Sequence, residues 1–301
     1  MTSARTYSVF GLHIRSQIAL DELLPRAPGG EADVEIVEAA VEGSGEETVG
    51  YSAHPDGTLL RIPGVGRYLI RQGREIRVEA AEGSSDRNLR LFLLGSAFGA
   101  LLHQRGLMPL HANAIIVDGR VVAFSGHSGA GKSTIAAWFH DRGYRIFADD
   151  VCVIGLDPQG RPIAYPGIPR LRLWREALEA SGRTAGDYSR SFDNMDKYDV
   201  PTRIEGVDGP MPLDRVYLLG KAGEGAADAR IVRLTGVEAV DALVSNTYRG
   251  GYLRTIGRTG EHLMTCVRVA SAVPVFRAER LWGFDNFDAE AERLERHCRG
   301  D

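Results

Sequence analysis

The hydrophobic and polar pattern of the first hundred or so residues reads as short strands and turns, closed by one helical run. Asp33-Val34-Glu35-Ile36-Val37 alternates, Pro55-Asp56-Gly57 separates two short strands, and Arg67–Ile70 and Arg74–Val78 flank the turn Gln72-Gly73. Gly29-Gly30 and Glu42-Gly43-Ser44-Gly45 read as surface loops. A helix over about 86–105 closes this unit, with Gly106 at its C-terminal cap. Two apolar runs, His111–Val117 and Arg120–Ser125, are then joined by Asp118-Gly119, a strong hairpin signal. Ser133–Arg142 carries Ile135, Trp138 and Phe139 on one helical stripe and stops at Gly143. Strands are expected over 151–156 and 162–165, across the turn Asp157-Pro158-Gln159-Gly160. The polar stretch Ser181–Asp199 lacks periodicity and is expected to contain a mobile loop. Thr235-Gly236-Val237-Glu238 reads as a capping box before an amphipathic run through Leu243, Val244 and Tyr248. Two more helices are predicted over 261–272 and 288–297. The pattern gives an α/β core over 107–301 behind a small strand-rich α/β N-terminal domain over 1–106.

Composition narrows the partners. The chain has 301 residues, is 44% hydrophobic, and carries a formal net charge of −4. That balance gives no electrostatic support for nucleic-acid or polyanionic-surface binding. Cys152, Cys266 and Cys298 lie far apart and out of metal-ligand spacing, which fits a reduced, cytoplasmic setting. The longest apolar stretch, Leu89–Leu102, is too short for a membrane span and reads as a buried helix.

The chemistry concentrates after the second hairpin. Gly126-His127-Ser128-Gly129-Ala130-Gly131-Lys132-Ser133-Thr134 has the spacing of a Walker A loop, entered from a strand and left through a helix. Its glycines let backbone N–H groups turn inward around phosphate oxygens at a helix N-terminus. Lys132 can reach the β- and γ-phosphates of ATP, and the Ser133 hydroxyl can take one position on Mg²⁺. If Val117 pairs with Arg120, His111 falls opposite Gly126, where an imidazole can donate hydrogen bonds to phosphates. The strand Tyr144–Ala148 ends in Asp149-Asp150 and is expected beside the loop's own strand. Asp149 could then hold the metal while Asp150 takes a proton from an attacking hydroxyl.

The ordered set His111, Gly126–Thr134 and Ala148-Asp149-Asp150 resembles the catalytic core of the HPr kinase/phosphorylase family. His111 stands 21 residues before Lys132, and Asp150 stands 18 after it. The resemblance implies the P-loop kinase core shared with phosphoenolpyruvate carboxykinase, with an aspartate as general base for a serine hydroxyl. It places histidine and lysine at the phosphates. The chain departs from that family over Pro166–Trp174, which has no acid where the family carries a metal-binding glutamate; the next is Glu176. The family's C-terminal signature for its protein substrate is also absent. Phe10-Gly11-Leu12, Leu110-His111-Ala112 and the run from Tyr165-Pro166-Gly167 to Trp174 are more similar to HPr-kinase-like proteins that accompany lasso-peptide maturation genes. Some proteins of that type phosphorylate a serine near the end of a precursor peptide.

The expectation is therefore an ATP- and Mg²⁺-dependent kinase acting on a serine of a peptide or small protein, without nucleic acid or membrane. Its catalytic residues would be His111, Lys132 and Asp150, and its metal ligands Ser133 and Asp149. A nucleotide-binding module that presents a peptide, and a small-molecule kinase or carboxykinase relative, are the alternatives. Arg215 is a weaker candidate for γ-phosphate stabilisation, and Lys197-Tyr198 for an acceptor loop. Trp138, Trp174 and Trp282 read as core or interface residues.

Overall fold

A computed structural model describes residues 4–27, 29–42, 49–168, 170–191, 196–202, 207, 209–222, 230–281 and 286–300. The fold is mixed α/β. An eight-stranded sheet draws on residues 5–80, with strand order Leu24–Pro25, Arg5–Val9, Leu12–Ser16, Val34–Glu38, Glu75–Ala80, Gly66–Arg71, Gly57–Ile62, Gly50–His54. Alternation decides its faces: Leu12, Ile14 and Ser16 are buried, as are Ile76 and Val78, while residues between them reach the other side. The Gln72-Gly73 turn closes as expected, with both residues at positive φ.

The buried face is covered by one long helical stretch. It runs as an α-helix over Asp86–Phe92, a π-helical turn over Leu93–Ala97 and an α-helix over Phe98–Gln104. The Ser85 Oγ accepts the Asn88 N–H at 3.3 Å and caps its start. Leu93, Phe98, Leu101 and Leu102 pack on Ile14, Ile36, Tyr68 and Ile76 in one core. The π turn leaves a flat place at Gly95 and Gly99, where the Tyr248 ring lies so near that a Cβ on Gly99 would come within 3.0 Å of it.

The second sheet has nine strands from residues 108–280. Its centre is the hairpin Ala112–Val117 and Arg120–Ser125, in the register Val117 to Arg120 through Ala112 to Ser125. Asp118 and Gly119 both take left-handed φ, as a two-residue turn of this hand requires. Arg120–Ser125 runs parallel to Met211–Lys221, which runs parallel to Val275–Arg280. Three carboxyl ends therefore lie side by side. Ile115, Val122 and Phe124 face the helices Lys132–Asp141 and Phe287–Arg299. Ala114, Ile116, Val121 and Ala123 face Gly236–Ser245 and Thr259–Ala272. The sheet is thus sandwiched between helices, which explains why its central strands are buried on both faces.

Several expectations change. Arg145–Ala148 pairs with Ala112–Val117, not with the loop's own strand. The hairpin partner fills one side of Arg120–Ser125 and Met211–Lys221 fills the other. In the polar 181–199 stretch, where a mobile loop is expected, residues 192–195 lie outside the described residues, and the remainder holds strand Ser189–Arg190 and the start of Lys197–Pro201, which join Arg170–Trp174 in a three-stranded sheet. Charged residues in this sheet alternate with Leu171, Leu173, Tyr198 and Val200, but helix Arg175–Ala180 and the chain after it separate the two alternating runs in sequence. Thr235 is extended at the start of its helix, but its side chain makes no capping bond. That helix ends at Ser245, so Tyr248 belongs to the following turn. Gly43–Gly45 and Trp282 lie outside the described residues. Among the described residues, no helix is long and apolar enough to cross a membrane.

Phe124 is fully buried and stacks between Phe139 and Tyr217, with ring centroids at 5.4 and 5.6 Å. Phe124→Ala should cost about 3–5 kcal/mol, read as a lowered denaturation midpoint in urea; an unchanged midpoint would mean this stack does not support the sheet.

Candidate active site

The glycine-rich loop leaves the carboxyl end of strand Arg120–Ser125 and enters helix Lys132–Asp141. Gly126 has φ +134, and a Cβ there would come within 2.6 Å of the Leu219 carbonyl oxygen. Gly129 and Gly131 also take positive φ. No side chain caps the helix that follows, so the N–H groups of its first turn remain available to an anion. The Lys132 ammonium is buried and donates to the carbonyls of Gly126 at 2.8 Å and His127 at 3.0 Å. Burial pulls its pKa down.

His111 stands next to the hairpin's last pair, Ala112 with Ser125. The Ser125 hydroxyl donates to its carbonyl at 2.9 Å, and its own N–H donates to the Asn246 carbonyl. Nδ1 lies 2.9 Å from the Asp150 carbonyl oxygen, so Nδ1 carries the proton and donates. Neutral His111 consequently offers Nε2 as an acceptor; donating to a phosphate requires the imidazolium. Burial, and then the nearby Lys132 charge, lower its pKa.

The two aspartates part company. Asp150 takes a left-handed φ of +61, which turns its side chain away from its neighbour's. The Asp149 carboxylate accepts from Asn113 Nδ2 at 2.5 Å and from the Arg172 backbone N–H at 2.8 Å. Burial and the adjacent Asp150 raise its pKa. The Asp150 carboxylate accepts from Arg172 Nη1 at 3.1 Å and Lys197 Nζ at 3.2 Å. Burial pushes its pKa up, but Lys197 and Arg172 outweigh that and hold it below the usual carboxylate range.

These groups meet at a cavity of about 890 Å³. His111, Gly126, Ser128, Gly129, Gly131, Lys132, Ser133, Thr134 and Asp150 all line it. Ala130 and Asp149 do not. The remaining walls come from three places: Trp174, Glu176 and Lys197; the 245–249 turn; and Arg280, Leu281, Phe287 and Glu290. Trp174 is 45% exposed on this wall, whereas Trp138 is buried and donates to Asp288. Arg215 does not line the cavity; it donates to Asp214 and to the His297 carbonyl.

Arg172, Asn113, Tyr248, Arg249 and Arg280 escaped the sequence reading. The alternation Arg170-Leu171-Arg172-Leu173-Trp174 could have put Arg172 on a polar face. Lys197 pairs with Trp174 and shares that face, but the pairing crosses 22 residues of unpatterned chain. Arg280 had no local signal at all.

Among the described residues, no three His, Cys, Asp or Glu side chains gather to hold a metal. The hard-oxygen donors present, Ser133 at the cavity and the oriented Asp149 carboxylate behind it, nonetheless suit Mg²⁺. That ion takes one or two protein ligands and completes its shell with water and phosphate oxygens. Asn113 and the Arg172 N–H fix the carboxylate's direction, as a metal-binding acid needs.

No family model and no curated protein matches the chain. Among solved structures it is similar to the HPr(Ser) kinase/phosphatase from Coxiella burnetii, at 14% identity and a TM-score of 0.36, over 64% of this chain and 90% of that one. A likeness this loose assigns neither fold nor function.

Gly126→Ala combines an unfavourable φ with a clash against backbone that cannot swing aside. It should destabilise the chain by about 1–3 kcal/mol and abolish any nucleotide-induced rise in melting temperature; a normal rise would show that the loop tolerates a Cβ.

Proposed function

We propose that the chain is an ATP- and Mg²⁺-dependent kinase of the HPr-kinase-like P-loop type, transferring the γ-phosphoryl group to a serine hydroxyl of a peptide or small protein. One observation carries the reading: Lys132, His111 and Asp150 reach a single cavity at the uncapped N-terminus of the loop helix. That cavity is large enough for a nucleotide with an acceptor chain beside it. The sequence resemblance makes a lasso-peptide precursor the first acceptor to try.

Lys132 exchanges its two loop carbonyls for phosphate oxygens and, with the backbone N–H groups, orients the tail in line with the acceptor. Ser133 and Asp149 would hold Mg²⁺, which supplies charge neutralisation at the phosphates. The serine oxygen forms the new bond to phosphorus, the bond to the ADP oxygen breaks, and the hydroxyl proton passes to Asp150. Arg172 and Lys197 keep Asp150 ionised and so ready to accept it. Phosphoryl transfer passes through a loose transition state and needs little driving force from its base. His111 faces the reacting groups with Nε2 while Nδ1 stays tied to the Asp150 main chain.

The same two cations favour a second reading, a nucleotide-binding module without transfer, since they occupy both oxygens of the acid. Intact-mass analysis of a serine peptide after incubation with Mg²⁺ and ATP separates the two by a gain of one phosphate.

Asp150→Asn should keep ATP affinity within a few-fold and lower transfer by about 10²- to 10⁴-fold; wild-type turnover in this variant removes Asp150 from proton transfer. Lys132→Ala should lose both ATP binding, measured by calorimetry, and transfer. Unchanged affinity there would leave the glycine-rich loop without a phosphate role.

A further inference from the structure

We propose that Arg280 is a phosphate-binding residue, a cation delivered to the nucleotide tail from the far parallel strand. The inference rests on the nucleotide reading above and adds a residue that neither the loop spacing nor the acid pair implicates.

Strand Val275–Arg280 runs parallel to Met211–Lys221, with Arg280 level with Lys221, and that strand runs parallel to the one feeding the loop. Arg280 is thus the last residue of a strand whose carboxyl end lies along the same sheet edge as the loop. Ligands of open parallel sheets collect at that edge. The side chain is only 7% exposed and lines the cavity. Its Nη2 donates to the Ala130 carbonyl at 2.7 Å and approaches Gly131 so closely that a Cβ there would come within 2.6 Å of it. Gly131 therefore serves two needs, a positive φ and room for the guanidinium.

The guanidinium is under-partnered. Among the described residues its buried Nε–H finds no acceptor and the guanidinium makes no ion pair. Glu290 is the charge that reaches it, but the Glu290 Oε1 accepts the Leu281 N–H at 2.5 Å. Burial accordingly pulls the Arg280 pKa down. A guanidinium has five N–H donors in a rigid fork shaped for phosphate or carboxylate oxygens. Burying one beside an anion-binding loop without a counter-ion is unfavourable, and an arriving phosphate removes the penalty.

This role and a merely structural one predict opposite signs. If Arg280 serves phosphate, Arg280→Met should leave the melting temperature of the free protein unchanged or raised, because an unpaired buried charge is gone. The same variant should bind MgATP roughly ten- to a hundredfold more weakly by calorimetry. Arg280→Lys, which keeps the charge without the fork, should fall between. A lower melting temperature in Arg280→Met with unchanged MgATP affinity would show that the side chain only props the Ala130 carbonyl, and would overturn the proposal. Equal affinity and equal melting temperature would overturn it too. Wild-type protein that fails to bind MgATP would bring down the nucleotide reading and this one together, whereas wild-type binding matched by Arg280→Met sinks only this one.

Discussion

Close contact between the loop's first residue and the neighbouring parallel strand governs the whole site. At Gly126 the chain turns with no room for a side chain against the Leu219 carbonyl. This fixes where the loop starts relative to Met211–Lys221 and, through it, to Val275–Arg280. On the other side, the tight hairpin sets His111 beside the loop's entrance. Ala112–Val117 then carries strand Arg145–Ala148, so the acid pair arrives across two strands from the loop. Glycine-rich loop, imidazole and acid pair are positioned by the backbone pairing of these strands, with side-chain packing behind them. A slip of one residue in the hairpin would turn His111 to the opposite face.

Charge is distributed against the average. The chain as a whole is acidic by four, yet the cavity is bounded by Lys132, Lys197, Arg249 and Arg280, against Asp150, Glu176 and Glu290. Arg172 adds a further cation to Asp150 from just behind the wall. Two of these positive groups, Lys132 and Arg280, are buried, and the hydrogen bonds they make among the described residues go to main-chain carbonyls. Partly desolvated cations of this kind attract a multiply charged anion far more strongly than surface lysines do, because water screens them less. The net negative charge of the chain thus coexists with a cavity wall where cations are concentrated.

Much of this was legible in the residues, for identifiable reasons. The glycine-rich loop, its helix and the hairpin are written in short-range chemistry: positive φ at Gly126, Gly129 and Gly131, and a two-residue Asp-Gly link. The placement of Asp150 and its neighbours was not. Strand Arg145–Ala148 is expected beside the loop strand, but both edges of that strand are filled, one by the hairpin partner and the other by a segment about ninety residues away. The clamp on Asp150 arises from a small sheet whose two main strands are separated by a polar stretch without pattern. Arg280 and Arg215 look alike in sequence, each a basic residue in a strand. Only the burial of one at the loop, and the pairing of the other with Asp214 and the His297 carbonyl, tells them apart.

Tyr248 ties the two sheets to one chemistry. Its ring sits 5.9 Å from that of His111, its carbonyl accepts from His103 Nε2, and its edge rests in the notch at Gly95 and Gly99. The π turn that opens this notch belongs to the helix covering the first sheet, so the imidazole's neighbour is seated on a surface made by the amino-terminal half. Trimming that half away would strip Tyr248 of its seat and leave an aromatic ring loose beside the histidine. A Cβ at Gly95 or Gly99 would crowd the same tyrosine that borders His111.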